Sequence, residues 1–268
     1  MIEILGYLCA TLVGISLGIM GSGGSLLTVP IMVYMMKINP VEATGYSLFI
    51  VGVSSAIGGI KYLQKNLVDV RTAMIFALPS IVCVFLTRKY LVPAIPNPVF
   101  TFDSFIVSKE MFVILFFALL MIVAAYNMIR VDSYKEPNKK EIRNINFFWL
   151  AGIGFVSGLL TGIVGIGGGF IIVPALVILA KVPVRMSMGT SLLIIAFNSI
   201  SGFAAEIIER HEMIDYKFLL LFSLFSVAGI FVGFNAGLKT SPSQIQKLFG
   251  WFILSLGIFM IVKEVFIS

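Results

Sequence analysis

The chain has 268 residues, of which 59% are hydrophobic and only 12% are charged, and its mean hydropathy is +1.06. Soluble domains contain about 45–50% apolar and about 25% charged residues, so this composition excludes a soluble globular protein and indicates an integral membrane protein. The net charge of +6 is spread over short loops rather than a basic stripe, which argues against nucleic-acid binding. Cys9 and Cys83 lie inside apolar segments without a carboxylate or histidine cluster, so we expect no disulfide, no metal site and no cofactor.

Ten apolar runs follow one another along the chain, five in each half. They cover residues 2–20, 22–36, 41–63, 70–92, 110–129, 147–165, 167–180, 186–207, 217–238 and 244–267. A helix needs about 20 residues to cross about 30 Å of hydrocarbon, so the runs 22–36 and 167–180 are too short to cross comfortably. The first run has Glu3 where a signal peptide carries basic residues, and it continues directly into the second run, so we interpret it as a membrane segment.

The two short runs begin with nearly the same sequence. Residues 18–30 and 162–174 lie 144 positions apart and are identical at seven of thirteen positions, including a glycine cluster and the prolines Pro30 and Pro174. Glycine and proline weaken or break a helix, and paired breaks in two halves of a membrane protein are typical of a transporter's binding site. The sequence therefore predicts an all-α integral membrane protein of two repeats, with discontinuous or re-entrant helices at the glycine-rich breaks.

The repeats are predicted at residues 1–129 and 147–268, with a polar linker at 130–146. The linker contains Arg130, Lys135, Lys139, Lys140 and Arg143, and the positive-inside rule predicts that it is cytoplasmic. If each short run changes sides or forms a hairpin with its predecessor, twelve of nineteen basic residues are cytoplasmic, and the two halves become inverted repeats. If each short run instead fuses with its predecessor into one span, the division is eleven to eight. The loop at 93–109 has no counterpart in the second half and is either an inert connector or a partial lid on the outer surface.

The glycine clusters are the first candidate binding site. Their members are Gly21, Gly23, Gly24 and Ser25 in the first half and Gly165, Gly167, Gly168 and Gly169 in the second. Glycine leaves backbone N–H groups uncovered, and a helix N-terminus carries unpaired donors with about half a positive charge, which suits an anion. Two such ends would form a site for a small anion, whereas the alternative is that the glycines only allow close helix packing.

The next run in each half carries a polar stripe. Thr44, Ser47, Ser54 and Gly58 share one helix face, and Ser191, Asn198 and Gly202 occupy matching offsets in the second half. Such a stripe faces the protein interior, where it either completes the hydrogen bonds of an anion or bonds neighbouring helices. We expect Ser47, Ser191 and Asn198 to contact substrate.

Charged side chains near the ends of the runs complete the set of candidates. They are Lys61, Arg71, Arg88, Arg185 and Glu206, all placed where long side chains can reach the membrane interface. Arg185, just before the second polar stripe, is included in the candidate anion site, and Arg88 is a second arginine to test. No intramembrane carboxylate relay, HExxH, GxSxG or Walker sequence is present, so neither proton coupling nor an enzyme is indicated.

In these duplicated motifs the chain resembles the TauE/SafE family of membrane anion exporters, also called the sulfite exporter family. The shared features are the glycine run leading to a proline, a Gly-x-Ser-Leu at 45–48 and 189–192, and an aspartate, Asp69 or Asp215, before the next run. The chain departs from the fuller glycine pattern at Ser25. The resemblance implies transport of sulfite, sulfoacetate or related sulfur-containing anions across a bacterial inner (plasma) membrane.

The leading hypothesis is a secondary transporter that works by alternating access on a small anion held between the two glycine clusters. Its partners would be this anionic substrate, the lipid bilayer and possible second copies in a homodimer. One alternative is a membrane scaffolding subunit that recruits a partner through the linker, and another is a transporter of an unrelated small anion. A cation transporter would be expected to place a carboxylate near the glycine clusters, and the sequence shows none there.

Overall fold

The computed structural model describes residues 2–102, 105–130, 147–209, 214–239 and 242–266. The helices are α1 (Ile2–Met20), α2 (Ser25–Pro30), α3 (Pro40–Gln64), α4 (Val70–Leu86), α5 (Val92–Ala94), α6 (Lys109–Arg130), α7 (Phe147–Val164), α8 (Gly169–Ile178), α9 (Val184–Glu209), α10 (Tyr216–Lys239) and α11 (Pro242–Phe266). Within the described residues, seven helices are long and apolar enough to cross a membrane. This agrees with the expected helical, multi-pass membrane protein, while the linker predicted at 130–146 lies outside the described residues beyond Arg130.

The first short run forms a hairpin with the run before it. Gly6 of α1 packs on Met36, whereas Gly24, at the start of α2, packs on the Leu17 end of α1. The helix α2 and its π-helical continuation Ile31–Met35 therefore run back along α1 toward the side on which α1 begins. Of the three arrangements of this segment, crossing, hairpin or fusion with α1, the contacts correspond to the hairpin.

The second short run makes the same kind of hairpin, and the repeat extends to backbone geometry. Gly168, before α8, packs against Ser157 and Thr161 of α7. Lys37 and Lys181, which follow the short helices 144 residues apart, both have positive φ, 56° and 50°. Glycine or asparagine usually takes this left-handed place at a helix end, so a lysine in both copies extends the duplication beyond the glycine motif.

The helices α3 and α9 form the centre of the molecule and run antiparallel. Three glycines of α3 mark the contact in order, Gly45 against Glu206, Gly52 against Ser199 and Gly59 against Leu193. Equivalent helices of the two halves thus point in opposite directions. We call the end where α3 finishes and α9 begins the Asp69 side, and the opposite end the Asp215 side.

Side-chain caps explain where the central helices and their successors begin. The Asn39 side chain accepts a hydrogen bond from the backbone N–H of Val41 at 2.9 Å, and Pro40 occupies the first turn of α3. Asp69 accepts from the N–H of Thr72 at the start of α4, at 3.1 Å. Asp215 accepts in the same way at the start of α10, from Phe218 at 3.0 Å. The repeated aspartates of the motif are therefore helix caps.

The outer helices pack across the two halves. The α1 helix lies along α10, with Gly14 against Ser226, and α7 lies along α4, with Gly158 against Ser80. The remaining long helices, α6 and α11, pack against one another. The first helix of each half is consequently held by the fourth run of the other half, and the halves share one core.

The segment at 93–109 departs from the all-α expectation. After Leu86 the α4 helix continues through a π-helical turn, Thr87–Leu91, into α5. Two short antiparallel strands follow, β1 (Phe100–Phe102) and β2 (Phe105–Val107), with Phe100 opposite Val107. The connector expected from the sequence therefore contains a small β-hairpin.

The close contact between α1 and α10 predicts a difference between two glycine-to-alanine changes. A Cβ on Gly229 of α10 would overlap the carbonyl of Thr11, whereas a Cβ on Gly152 of α7 would meet no atom within 4 Å. Gly229→Ala should destabilise the protein by about 1–3 kcal/mol because the helices must separate. Gly152→Ala should leave stability unchanged or raise it slightly, since alanine favours helix. Thermal unfolding of both variants in detergent measures this, and equal melting temperatures would contradict the described packing.

Candidate functional site

The two glycine clusters meet inside the protein. We call residues 21–24 the first glycine loop and residues 165–168 the second glycine loop. A Cβ added to Gly169, directly after the second loop, would overlap the Cβ of Ser22 in the first loop. Both loops also touch the central helices, since Gly21 packs on Met188 of α9 and Gly165 packs on Thr44 of α3. The residues predicted from the two halves are thus brought to one place.

Each loop is tied to the central helix of the other half by an equivalent serine. The Ser191 hydroxyl donates to the carbonyl of Gly21 at 2.8 Å, and the Ser47 hydroxyl donates to the carbonyl of Gly165. Each serine also lies within hydrogen-bond distance of a carbonyl of its own helix, and one hydroxyl proton is shared between the two acceptors. In this structure both serines therefore hold the loops, and their contact with a substrate stays a prediction.

A second reciprocal pair of hydrogen bonds lies farther from the centre. The backbone N–H of Asp69 donates to the Thr190 hydroxyl at 2.9 Å on the Asp69 side. The N–H of Asp215 donates to the phenolic oxygen of Tyr46 at 3.1 Å on the Asp215 side. Thr190 and Tyr46 lie 144 residues apart in sequence. The sequence motif included these positions, but nothing in their spacing indicated that they would bond across the halves.

Backbone conformation explains several of the glycines. Gly21, Gly165, Gly167 and Gly168 have φ values of 71–74°, which disfavour any residue with a Cβ. Gly24 is required for a different reason, because a side chain there would overlap the Val13 carbonyl of α1.

The remaining two positions of the first cluster have packing and capping roles. Gly23 packs beside Met20 and Phe249. Ser25, where the second half has Gly169, is buried and donates its hydroxyl to the Ser22 carbonyl at 2.9 Å. The serine therefore closes the turn of the first glycine loop.

The second glycine loop has two hydroxyls beside it, on α7, where the first half has apolar residues, and a third, on α9, whose counterpart in α3 is the buried Ser55. Three buried hydroxyls without a hydrogen-bond partner surround it, those of Ser157 and Thr161 beside Gly168 and that of Ser199 beside Gly167. At positions equivalent to Ser157 and Thr161, the first half has Val13 and Leu17. A buried polar group without a partner costs about 1–3 kcal/mol, so this lining is suited to a ligand or water that accepts its hydrogen bonds.

The N-terminus of α8 points into the same region. Gly168 provides no side-chain cap, and its carbonyl accepts from the N–H groups of Ile171 and Ile172, so only the N–H groups before them lack a carbonyl partner within the helix. The loop therefore presents backbone donors and three hydroxyls together. Hydroxyls and N–H groups are the donors from which proteins build sites for oxyanions.

The last two predicted site residues are placed differently. Asn198 is fully buried, and its amide donates to the Ser80 hydroxyl of α4 at 2.7 Å, while its carbonyl oxygen has no partner. Its bond is to α4 rather than to a glycine loop, so its contact with a substrate stays a prediction. Arg185 is exposed in the first turn of α9, on the Asp69 side. It lies at the rim of the molecule, apart from the buried lining.

Two recesses of different character lie toward the two sides of the molecule. A narrow cleft reaches the first glycine loop between Met20, Gly23, Pro174 and Met188, with Asn127 and Gln246 at its edge near the Asp69 side. A wider recess opens on the Asp215 side, and its lining includes Lys37, Glu42, Tyr46, Asp215 and Lys217. We call the second cavity the charged recess.

Arg88 and Glu206 form a buried ion pair, so the expectation that both reach the membrane interface is wrong. Their exposed fractions are 2% and 7%, and Arg88 Nε lies 3.0 Å from Glu206 Oε2. The guanidinium also donates to the Thr44 hydroxyl at 2.9 Å. The reason is tertiary, because the π-helical turn after α4 and the end of α9 face each other rather than lipid. Neither the pairing nor its burial is visible in the sequence, where the residues are 118 positions apart.

A bundle of apolar helices with two glycine-broken hairpins meeting at a polar centre defines a class, the polytopic membrane transporters with discontinuous helices. The chain belongs to the family described as "Sulfite exporter TauE/SafE", which matches residues 6–260. The resemblance seen in the duplicated motifs is thereby confirmed. The family match favours transport over both catalysis and scaffolding.

Curated relatives carry corresponding names. The chain is 27% identical to a protein of Xylella fastidiosa named "Probable membrane transporter protein", over 94% of this chain and 92% of the relative. It is 25% identical to a protein with the same description from Methanocaldococcus jannaschii, over 94% of each chain. The similarity to YunE of Bacillus subtilis, also named a membrane transporter, is 27% over 77% of this chain and 80% of the relative. No solved structure matches the chain.

The serine ties predict a measurable effect on stability. Ser191→Ala should lower the free energy of unfolding by about 0.5–1.5 kcal/mol, because the Gly21 carbonyl loses its donor from α9. Ser255→Ala is the matched control, since that hydroxyl is exposed and bonds only a carbonyl of its own helix. Thermal unfolding in detergent compares the two. An equal effect of both changes would show that the tie does not hold the loop.

The buried ion pair predicts non-additive stability. Glu206→Leu leaves the Arg88 charge buried without its carboxylate and should cost about 3–5 kcal/mol. Adding Arg88→Met should recover much of that loss, because the double variant replaces the pair by apolar side chains of similar volume. A double-mutant cycle of unfolding free energies tests this. If the losses of unfolding free energy in Glu206→Leu and Arg88→Met add up to the loss in the double variant, the two side chains are not energetically coupled.

Proposed function

We propose that this protein is a secondary transporter of small organic or inorganic sulfur oxyanions, such as sulfite, sulfoacetate or similar sulfonates, and that it works by alternating access. The observation that carries the proposal is the second glycine loop, where the α8 N-terminus meets the unpartnered hydroxyls of Ser157, Thr161 and Ser199. A sulfite or sulfonate group has three oxygens that accept hydrogen bonds. It would satisfy these donors in a region that otherwise leaves them unpaired.

The charge balance at this place supports an anion over a cation. The Glu206 carboxylate, which packs on Gly45 of α3, is already paired with Arg88. The positive end of α8 adds a favourable potential for negative charge. A cation site would require carboxylate or carbonyl ligands directed at the cavity, whereas the loop carbonyls of Gly21 and Gly165 are engaged by serines.

Alternating access is supported by the relationship between the halves. We propose that they are inverted-topology repeats. Three observations support this: α3 and α9 are antiparallel, the serine bonds to the glycine loops are exchanged reciprocally, and each half begins with a hairpin of the same design. In such repeats, a binding place near the middle can be opened to either side by exchanging the conformations of the halves.

The orientation follows from the basic linker if it is cytoplasmic, as the positive-inside rule predicts. The Asp69 side, where α6 ends and α7 begins, would then face the cytoplasm of a bacterial cell. The narrow cleft reaches the first glycine loop from this side, and the Arg88–Glu206 pair lies near the Asp215 side. A homodimer and residence in the inner membrane remain predictions of the sequence.

The transport proposal predicts saturable flux by purified protein in proteoliposomes. The substrates to compare are sulfite, sulfoacetate, taurine and sulfate, each under an imposed membrane potential with and without a pH gradient. We expect at least one sulfur oxyanion to move at a rate that saturates and is competed by the unlabelled anion. Folded protein that moves none of them would overturn the proposed substrate class.

The polar lining predicts a separation of transport from stability. Thr161→Val preserves the shape of the side chain and removes a hydroxyl that has no protein partner. The free energy of unfolding should therefore be unchanged or slightly higher. Flux should fall at least severalfold if that hydroxyl donates to the substrate. Ser255→Ala, an exposed hydroxyl far from the loops in sequence, is the matched control for flux. Unchanged transport by Thr161→Val would remove this hydroxyl from the site.

A further inference from the structure

The Arg88–Glu206 pair is directly linked to the second glycine loop. The Thr44 hydroxyl accepts a hydrogen bond from Arg88, and the Thr44 backbone packs against Gly165. Glu206 in turn packs on Gly45, the next residue of α3. The pair is therefore linked to the second glycine loop through the single residue Thr44, near the Asp215 side.

The other half shows that the fold does not require an ion pair here. At the positions equivalent to Glu206 and Arg88 stand Tyr62 and Phe234, 144 and 146 residues away. Their rings pack edge to face with centroids 4.9 Å apart, and the Tyr62 hydroxyl bonds the Gly18 carbonyl. An aromatic pair therefore stands in the place of the ion pair on the Asp69 side. Because burying two charges carries a desolvation cost, the charged version calls for a reason other than packing.

The chemistry of the pair provides such a reason. The Glu206 carboxylate lies beside the Nε group of Arg88, and arginine binds carboxylates and other planar or tetrahedral oxyanions through the same guanidinium N–H groups. A substrate anion can take this place only if the carboxylate leaves or loses its charge. Protonation of Glu206 does the second, since it converts the charged partner into a neutral carboxyl group.

The charged groups around Glu206 are few among the described side chains. The turn after α4 contributes Arg88 and Lys89, and Lys89 is directed toward the rings of Phe85 and Tyr90. The near end of α3 contributes Glu42, which lines the charged recess. The α7 and α8 helices, which also pack on α9, carry no charged residue. The charged residues 209–212, which follow Glu206, lie outside the described side chains.

We infer that Arg88 and Glu206 form a proton-linked anion-binding site, in which Arg88 receives the oxyanion when Glu206 is protonated. This inference rests on the proposed transport of sulfur oxyanions and adds the coupling ion to it. The balance is simple: one proton enters with each anion and neutralises Glu206, while Arg88 keeps its positive charge throughout. A monoanion and its proton would cross together without net charge. Proton coupling could not be read from the sequence, because no intramembrane carboxylate relay was visible there and Glu206 was expected at the membrane interface.

The first test uses the unaltered protein and needs no variant. Anion binding to purified protein in weakly buffered detergent should take up about one proton per anion at pH values where Glu206 is ionised, and a pH indicator measures this uptake. Over the same range the dissociation constant of the anion should fall about tenfold for each unit of decrease in pH. Binding without proton uptake, and with an affinity independent of pH, would overturn the inference.

The second test compares two variants in proteoliposomes. Glu206→Gln keeps the shape of the side chain and an oxygen that can accept from Arg88, so it is a milder change than Glu206→Leu. It should transport down an anion gradient but lose the acceleration that a pH gradient gives to the unaltered protein. Lys89→Gln removes a cation one residue from Arg88 and should keep that acceleration. Glu206→Gln protein that still responds to the pH gradient would overturn the inference.

The outcomes separate the two proposals. Sulfur-oxyanion flux that a pH gradient does not affect, in both the unaltered protein and Glu206→Gln, would overturn the coupling and leave the transport function standing. If folded protein neither binds nor moves any sulfur oxyanion at any pH, the transport proposal is wrong, and the coupling that rests on it falls as well. If Glu206→Gln does not fold, the measurement of proton uptake by the unaltered protein tests the proton coupling by itself.

Discussion

Polar backbone deep inside an apolar helical bundle requires hydrogen-bond partners, and here each half supplies the partner for the other. The carbonyls of Gly21 and Gly165 leave the helical ladder where the loops turn, and serines of the opposite central helix donate to them. This exchange holds both hairpins against α3 and α9. It also places two helix breaks in contact near the crossing of the central helices, where a site can form between the halves.

The two halves have the same arrangement of helices but different side chains at equivalent positions. The second glycine loop is lined by Ser157 and Thr161, whereas the first has Val13 and Leu17 at those places. The Arg88–Glu206 ion pair lies near the Asp215 side, and the ring contact of Tyr62 with Phe234 takes the equivalent place near the Asp69 side. The two copies therefore share an arrangement of helices but differ in the charge of the side chains that pack at equivalent contacts.

Local signals in the sequence predicted the elements and much of the candidate site. Hydrophobic runs predicted the helices because a lipid-facing helix must be apolar over its length, and the residues Gly21 and Gly165 were singled out because their cluster recurs. The sequence also predicted the polar stripe that holds Ser47 and Ser191. It did not predict that these hydroxyls bond the opposite loop, nor that 93–109 contains a β-hairpin, since both depend on what lies across from each segment.

By itself, the sequence determined the membrane class, the duplication and the family, because composition and repeated motifs depend on residues near one another in the chain. Only the tertiary structure decided that the short helices fold back, that Arg88 and Glu206 are buried together, and that three hydroxyls remain unpaired around the second glycine loop. Pairing between residues 118 positions apart depends on how helices are arranged, and helix packing is set by many weak contacts spread along the whole chain. The charged end of α4 has the same composition whether it faces the interface or the core, so its burial could be established only from its neighbours.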